Sequence, residues 1–266
     1  MRKAKFVACM AMCLCSIPTW ADAECDEVRA KYQKRTVQTA WSEYSFAYCL
    51  ARDGNVDLAF QHLEASIQQG FRELSHIESD PDFTALHADK RWAGILAAVN
   101  NNENQYVQSI NAELYQIYKE DQADRSTQNI DWSKVAPRDQ ARSMRVREIA
   151  KNGQLKQGDD YFHAAMVMQH GESSESYLQA QQWAEKAFEL NPKLTSANWL
   201  AAAAEDRYLQ SINKPQIWGT QYKLNKETGK WSLEPIDRKA KTDDERAAKN
   251  VPSLAQSEER EKQMNQ

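Results

Sequence analysis

Apolar residues recur at three- and four-residue intervals along most of the chain, and this spacing predicts a succession of helices. Residues 26–52 carry helix-forming composition without Gly or Pro, with Trp41, Tyr44, Ala47, Tyr48 and Leu50 near helical spacing. Arg52-Asp53-Gly54-Asn55 reads as a turn, and Gly54 suits the left-handed position that ends a helix. A second helix follows at about 56–69, where Ala59, Leu63 and Ile67 recur every four residues. Asp80-Pro81 opens a short helix, because Asp caps and Pro fits the first turn. Further helices are expected at 91–99, 105–125, 138–152, 159–169, 177–190, 195–209 and 243–250, with 126–137 a loop holding Trp132. Residues 216–236 differ: branched and aromatic residues flank the turn Asn225–Gly229, the pattern of a β-hairpin. A lone hairpin is marginal, so it is expected to pack on helices through Trp218, Tyr222 and Trp231. The fold class is mainly α with one small β-hairpin in the C-terminal domain. The charged tail 256–266 is expected to fray.

The polar run Asn100-Asn101-Asn102-Glu103-Asn104 marks a soft boundary between a region at 24–100 and a domain at 105–255. In the first, Phe46, Ala47, Leu50, Gly54, Ala59 and Leu63 have the spacing of a tetratricopeptide repeat's signature positions, and the pair of helices resembles one such repeat. Ser66 stands where the repeat usually has Ala, and its terminal Pro is missing. Small residues at 47 and 59 let two antiparallel helices approach closely. The stretch from Gly70 to Leu96 resembles the tail that often follows such repeats in bacterial proteins. Ala180, Ala184, Ala187 and Pro192 resemble the second half of another repeat.

The start of the chain reads as an export signal. Arg2, Lys3 and Lys5 precede a short apolar run from Phe6 to Pro18, and Ala21-Asp22-Ala23 is an A-x-A site, so cleavage is expected after Ala23. The run is too short to span a bilayer, and no stable membrane insertion is expected after cleavage. Removing residues 1–23 takes away three basic residues and Asp22, which moves the net charge from −4 to −6. That excludes a nucleic-acid or anionic-membrane binder driven by basic patches. Only Cys25 and Cys49 then remain, and an even pair in an exported chain reads as a disulfide. Periplasmic or secreted localisation follows.

Three polar clusters lie at the ends of Ala-rich runs: Gln169-His170-Gly171, Glu205-Asp206-Arg207 and Gly219-Thr220-Gln221. Together with Asp121, Arg125, Gln216 and Val251-Pro252 they resemble a bacterial domain of unknown function. The resemblance covers about residues 105–260 and implies a shared fold without naming an activity. His170 has two readings. A His at a helix end near a carboxylate such as Asp206 suits a general base. Equally, it suits an interaction with the helix dipole or a backbone carbonyl. Arg207 can clamp a carboxylate or phosphate, or belong to a buried network in which Asp206 holds the Gly-Thr-Gln turn. Asp159, Asp160, His163 and His170 make a conceivable metal set without recognised spacing, so no metal and no cofactor is expected. Gln169 and Thr220 are ligand-binding candidates. The basic residues Arg138, Arg142, Arg145 and Arg147 read as a solvated helix face.

Stacked helical hairpins make surfaces that hold peptides or proteins. The expected function is therefore non-catalytic protein–protein interaction in the cell envelope, with a protein or peptide partner. The alternative is a hydrolase-like enzyme using His170, Asp206, Arg207 and Gln221.

Overall fold

The structure is a computed structural model describing residues 20–126 and 129–266. The expected signal segment lies outside the described residues up to position 19. The chain divides into two compact units, one ending at Gln105 and one starting at Tyr106. The fold is mainly α, with one small antiparallel hairpin near the C-terminus. No helix among the described residues is long and apolar enough to cross a membrane.

The first unit holds α1 (Trp20–Lys34), α2 (Ala40–Arg52), α3 (Val56–Gln68), α4 (Leu74–Ser79) and a 3-10 turn at Pro81–Leu86, and it enters α5 (Trp92–Ser109). The single helix expected at 26–52 is two. Thr39 caps α2 by accepting from the Ser42 N–H, while Ser42 Oγ accepts in return from the Thr39 N–H. The break lets α1 fold back so that Cys25 and Cys49 form a disulfide with Cα atoms 5.5 Å apart. Ala47 and Ala59 are fully buried where α2 meets α3, and Gly54 takes φ +77° in the turn between them. Tyr44, Phe60, Leu63, Phe71, Ile77, Phe83 and Trp92 fill the core. The Asn-rich run 100–104 belongs to α5, where Asn102 donates to the carbonyls of Ile67 (2.8 Å) and Phe71 (3.0 Å).

The second unit holds α6 (Ala112–Ala123), α7 (Trp132–Lys151), α8 (Gly158–Gln169), α9 (Ser174–Leu190), α10 (Thr195–Ser211), strands β1 (Tyr222–Leu224) and β2 (Trp231–Leu233), then α11 (Asp243–Ala248) and α12 (Leu254–Gln263). The helix expected at 105–125 breaks because Asn111 caps α6, its Oδ1 accepting from the Leu114 N–H at 2.9 Å. The loop expected at 126–137 is shorter, since α7 begins at Trp132 and carries Pro137 inside it. Packing against the core overrides the local cost of that proline.

Helices α8, α9 and α10 pack in sequence, and small residues decide how closely. Ala164, Ala165, Ala180, Ala184, Ala187 and Ala201–Ala204 are at most 1% exposed. Gly158 lies so near α9 that a Cβ would meet Asn191 Cβ at 2.7 Å. The hairpin pairs Tyr222 with Leu233 and Leu224 with Trp231. The tail expected to fray is mostly α12, which covers the free edge of β2. Glu261 accepts from the Leu233 N–H (2.9 Å) and Asn265 from the Trp231 N–H (2.8 Å). Unpaired strand groups are satisfied by side chains, so the tail is ordered by the edge it protects.

Candidate functional site

The polar clusters converge at one end of the α6–α10 bundle, where they form one continuous network. At its start, Asp139 on α7 binds the Arg125 guanidinium through both carboxylate oxygens. Arg125 also reaches Asp121 Oδ1 at 3.1 Å. Asp121, which is fully buried, accepts from His170 Nδ1 at 2.8 Å and from Gln122 at 2.8 Å. Because that carboxylate accepts from every partner, His170 carries a hydrogen on Nδ1, which in the neutral ring leaves the lone pair on Nε2. No partner for Nε2 occurs among the described residues. The residue next to His170 continues the chain of bonds. The Gln169 carbonyl accepts from Arg207 at 2.7 Å, and Arg207 Nε donates to Gln221 Oε1 at 3.1 Å. Gln221 in turn donates to Thr220 Oγ1 at 2.9 Å and, through its N–H, to Gln216 Oε1 at 3.0 Å.

Asp206 closes the network and does nothing for His170. Its Oδ1 accepts from the N–H groups of Ile217 (2.8 Å) and Trp218 (2.9 Å). Its Oδ2 accepts from the N–H (3.0 Å) and hydroxyl (2.7 Å) of Thr220. Burial pushes the Asp206 carboxyl up from its ordinary range, and these donors pull it part of the way back. Gly219 takes φ +80° in the turn so held, a conformation that favours Gly. Arg207 has no carboxylate within ion-pair distance among the described residues. Burial lowers its pKa, the nearby Tyr177 acts upward, and the Arg125 charge lowers it further.

The sequence expectation placed His170 beside Asp206. The structure gives His170 to Asp121 and gives Asp206 to the turn. Arg207, Thr220 and Gln221 are brought into the network as internal contacts, while Gln169 enters it through its backbone carbonyl alone and its buried Oε1 has no partner among the described residues. The expected solvated face of α7 holds for Arg138, Arg145 and Arg147, which are exposed, and fails at Arg142. Arg142 is only 10% exposed in its side chain and bridges Asp124 (2.7 Å) and Asp139 (3.2 Å). The Arg142 guanidinium holds the Asp124 carboxyl below its ordinary value. Arg138 and Arg145 pair with Asp124 and Glu113. The signal for this was in the sequence: Val135, Asp139, Ser143 and Val146 recur at helical spacing and mark a buried face that includes an acid.

Beside the network lies a cleft of about 510 Å³, walled by α7 and by the start of α9. Ala136, Pro137 and Met144 form its apolar side, and His170, Ser143, Arg147, Glu172, Ser173 and Ser176 its polar side. Gly171 makes the sharp entry to α9 possible, because a Cβ there would meet Ser176 Cβ at 2.5 Å. Ser173 caps α9, accepting from the Ser176 N–H at 3.2 Å. Arg147 donates to Ser176 Oγ at 2.9 Å and has no ion pair among the described residues. These cleft residues were missed because they come from a helix face and a loop with no motif.

Asp159 and His163 both bond to Tyr106, and Asp160 accepts three backbone N–H groups as a cap. Among the described residues, no group of three or more His, Cys, Asp and Glu side chains is placed to hold a metal ion. Fold and site together define a mainly α-helical protein with a cleft set on a rigid polar scaffold. Compared with family models, curated proteins and solved structures, the chain matches none of them.

Proposed function

We propose that the chain is an exported envelope protein that binds a protein or peptide partner without catalysis, and that the α7–α9 cleft is where the partner docks. One observation carries the reading. Most polar atoms of the motif residues are spent inside the network, while the cleft beside them presents unspent ones, His170 Nε2 among them, next to apolar surface. Met144 is 61% exposed and Trp132, near the start of the same helix, 58%. An exposed methionine beside an arginine without an ion pair is the composition of an interaction surface. The disulfide supports export, since such bonds persist in oxidising compartments. The tetratricopeptide-like spacing of the α2–α3 pair supports an interaction role.

The test compares the mature protein with Met144→Asp and Arg147→Glu in capture from periplasmic extract. Both positions are exposed, so both variants should melt with the wild type. A partner retained by the wild type and lost by both variants agrees with the proposal. Equal capture by all three, or none by any, counts against it.

One observation favours a second reading, a hydrolase. Asp121 orients His170 through Nδ1 and leaves Nε2 without a partner at the cleft, which is how a general base is held. No hydroxyl among the described residues is hydrogen-bonded to that nitrogen, so such an enzyme would have to activate a water. Turnover of ester, amide or phosphate substrates by the wild type and its loss in His170→Gln would establish this reading.

A further inference from the structure

The cleft has an unfilled hydrogen-bonding pattern, and that pattern points to a kind of partner. Three atoms or groups define it. Arg147 lines the cleft with a guanidinium bonded only to Ser176 Oγ. The N-terminus of α9 lies beside it at Ser173 and Ser176 and is already served by the helix's own Glu175 carboxylate, which its backbone N–H and the Ser173 and Ser174 side chains hold below the ordinary value. Ser143 also lines the cleft. It is 8% exposed, and its Oγ has no hydrogen-bond partner among the described residues. A buried hydroxyl left unpaired is costly unless something arrives to pair with it. Finally, with Asp121 taking the Nδ1 hydrogen, the neutral His170 ring offers Nε2 as an acceptor.

A cation and an unpaired hydroxyl call for an anion, while the neighbouring nitrogen of a neutral imidazole calls for a donor. A peptide's last residue supplies both: a carboxylate, and an amide N–H a few bonds away. The apolar wall of Ala136, Pro137 and Met144 suits a small apolar side chain on that residue. Glu172 lines the same cleft with opposite charge and has no ion pair among the described residues, so it confines the single carboxylate to the Arg147 side and disfavours a second negative charge on the partner. A volume of about 510 Å³ accommodates a chain end rather than a folded surface.

We infer that the cleft captures the free C-terminus of a peptide, with the carboxylate on Arg147 and the Ser143 hydroxyl, and the last amide N–H on His170 Nε2. This rests on the proposal that the cleft is a docking site, and it names the part of the partner that docks.

The experiment titrates the mature protein, labelled for NMR, with three probes: N-acetyl-trialanine bearing a free carboxylate, the same peptide as its C-terminal amide, and acetate. The readouts are the Arg147 guanidinium and His170 ring signals. The acid peptide should shift both and bind at least about tenfold more tightly than the amide, the usual worth of a charge-assisted hydrogen bond. Arg147→Gln should abolish that preference. Ser143→Ala should weaken the acid peptide while leaving thermal stability unchanged or raised, because the hydroxyl it removes is unpaired in the free protein. A merely structural serine would not separate those two effects. Equal binding of acid and amide would overturn the carboxylate assignment and leave the cleft as a docking site. Acetate binding as tightly as the acid peptide would overturn the peptide source. No shift with any probe would overturn the inference, while the docking proposal stands or falls on the capture experiment.

Discussion

Replacing Asp206 with Ala tests the polar scaffold at its most heavily used point. The carboxylate is 0% exposed and accepts four hydrogen bonds, three of them from backbone N–H groups of the 216–221 turn. Alanine leaves those donors unpaired. Each orphaned buried donor costs about 1–3 kcal/mol, and water entering the vacated space recovers part of it. Removing the carboxylate also relieves its burial cost, which its raised pKa records. A net loss of about 3–5 kcal/mol is expected, in the range for breaking a buried charged interaction by removing one partner. Asp206→Asn keeps one acceptor oxygen but turns an NH₂ toward the donors that used the other, so a loss of about 2 kcal/mol is expected. Urea unfolding followed by helical circular dichroism gives both numbers, and hydrogen exchange at Ile217, Trp218 and Thr220 localises the effect. A loss below about 1 kcal/mol for Asp206→Ala, with those amides still protected, would refute the reasoning.

Four further outcomes are expected. Cys25→Ser/Cys49→Ser should lower stability by about 3 kcal/mol in the chain-entropy model, read as a shift of the urea midpoint. Gly171→Ala should destabilise and loosen the α9 N-terminus, because its Cβ meets Ser176 Cβ at 2.5 Å; unchanged melting would contradict the packing argument. Burial first, and then the Glu43 and Glu24 carboxylates respectively, raise Tyr32 and Tyr48 to about 12, and burial and Asp80 push Tyr44 up as well. A raised folded-state pKa means stability present below the ordinary tyrosine value and lost as pH rises toward about 12. The first unit should therefore unfold in that alkaline window, with cooperative tyrosinate absorbance. The Arg91 side chain holds Asp89 down to about 2, so its contribution is present above the ordinary carboxylate value and lost as pH falls through about 2; an NMR titration of the Asp89 carboxyl checks this.

Most helices were legible because a 3.6-residue apolar period survives in them, as at Ala59, Leu63 and Ile67. The breaks were less legible. Thr39 and Asn111 end helix-forming stretches through side-chain caps, a signal carried by single residues. The polar clusters were visible as groups, and the link from Asp121 to Arg125 is local, four residues along the chain. The link from His170 to Asp121 spans 49 residues, and spacing along the chain does not encode which of several acids a histidine meets. The order of the tail was hidden for the same reason: Glu261 and Asn265 bond to strand groups about thirty residues away.

Thermal unfolding of His170→Ala, Arg207→Ala and Gln221→Ala beside Arg147→Ala tests the division between scaffold and cleft most directly. The first three each remove a link in the network and should lose about 2 kcal/mol or more, a fall of roughly 4–8 °C for a chain of this size. Arg147→Ala should melt within about 2 °C of the wild type, because that side chain is exposed and bonded only to Ser176. If the three network variants melt with the wild type, the motif residues do not hold the fold, and the site of function lies among them.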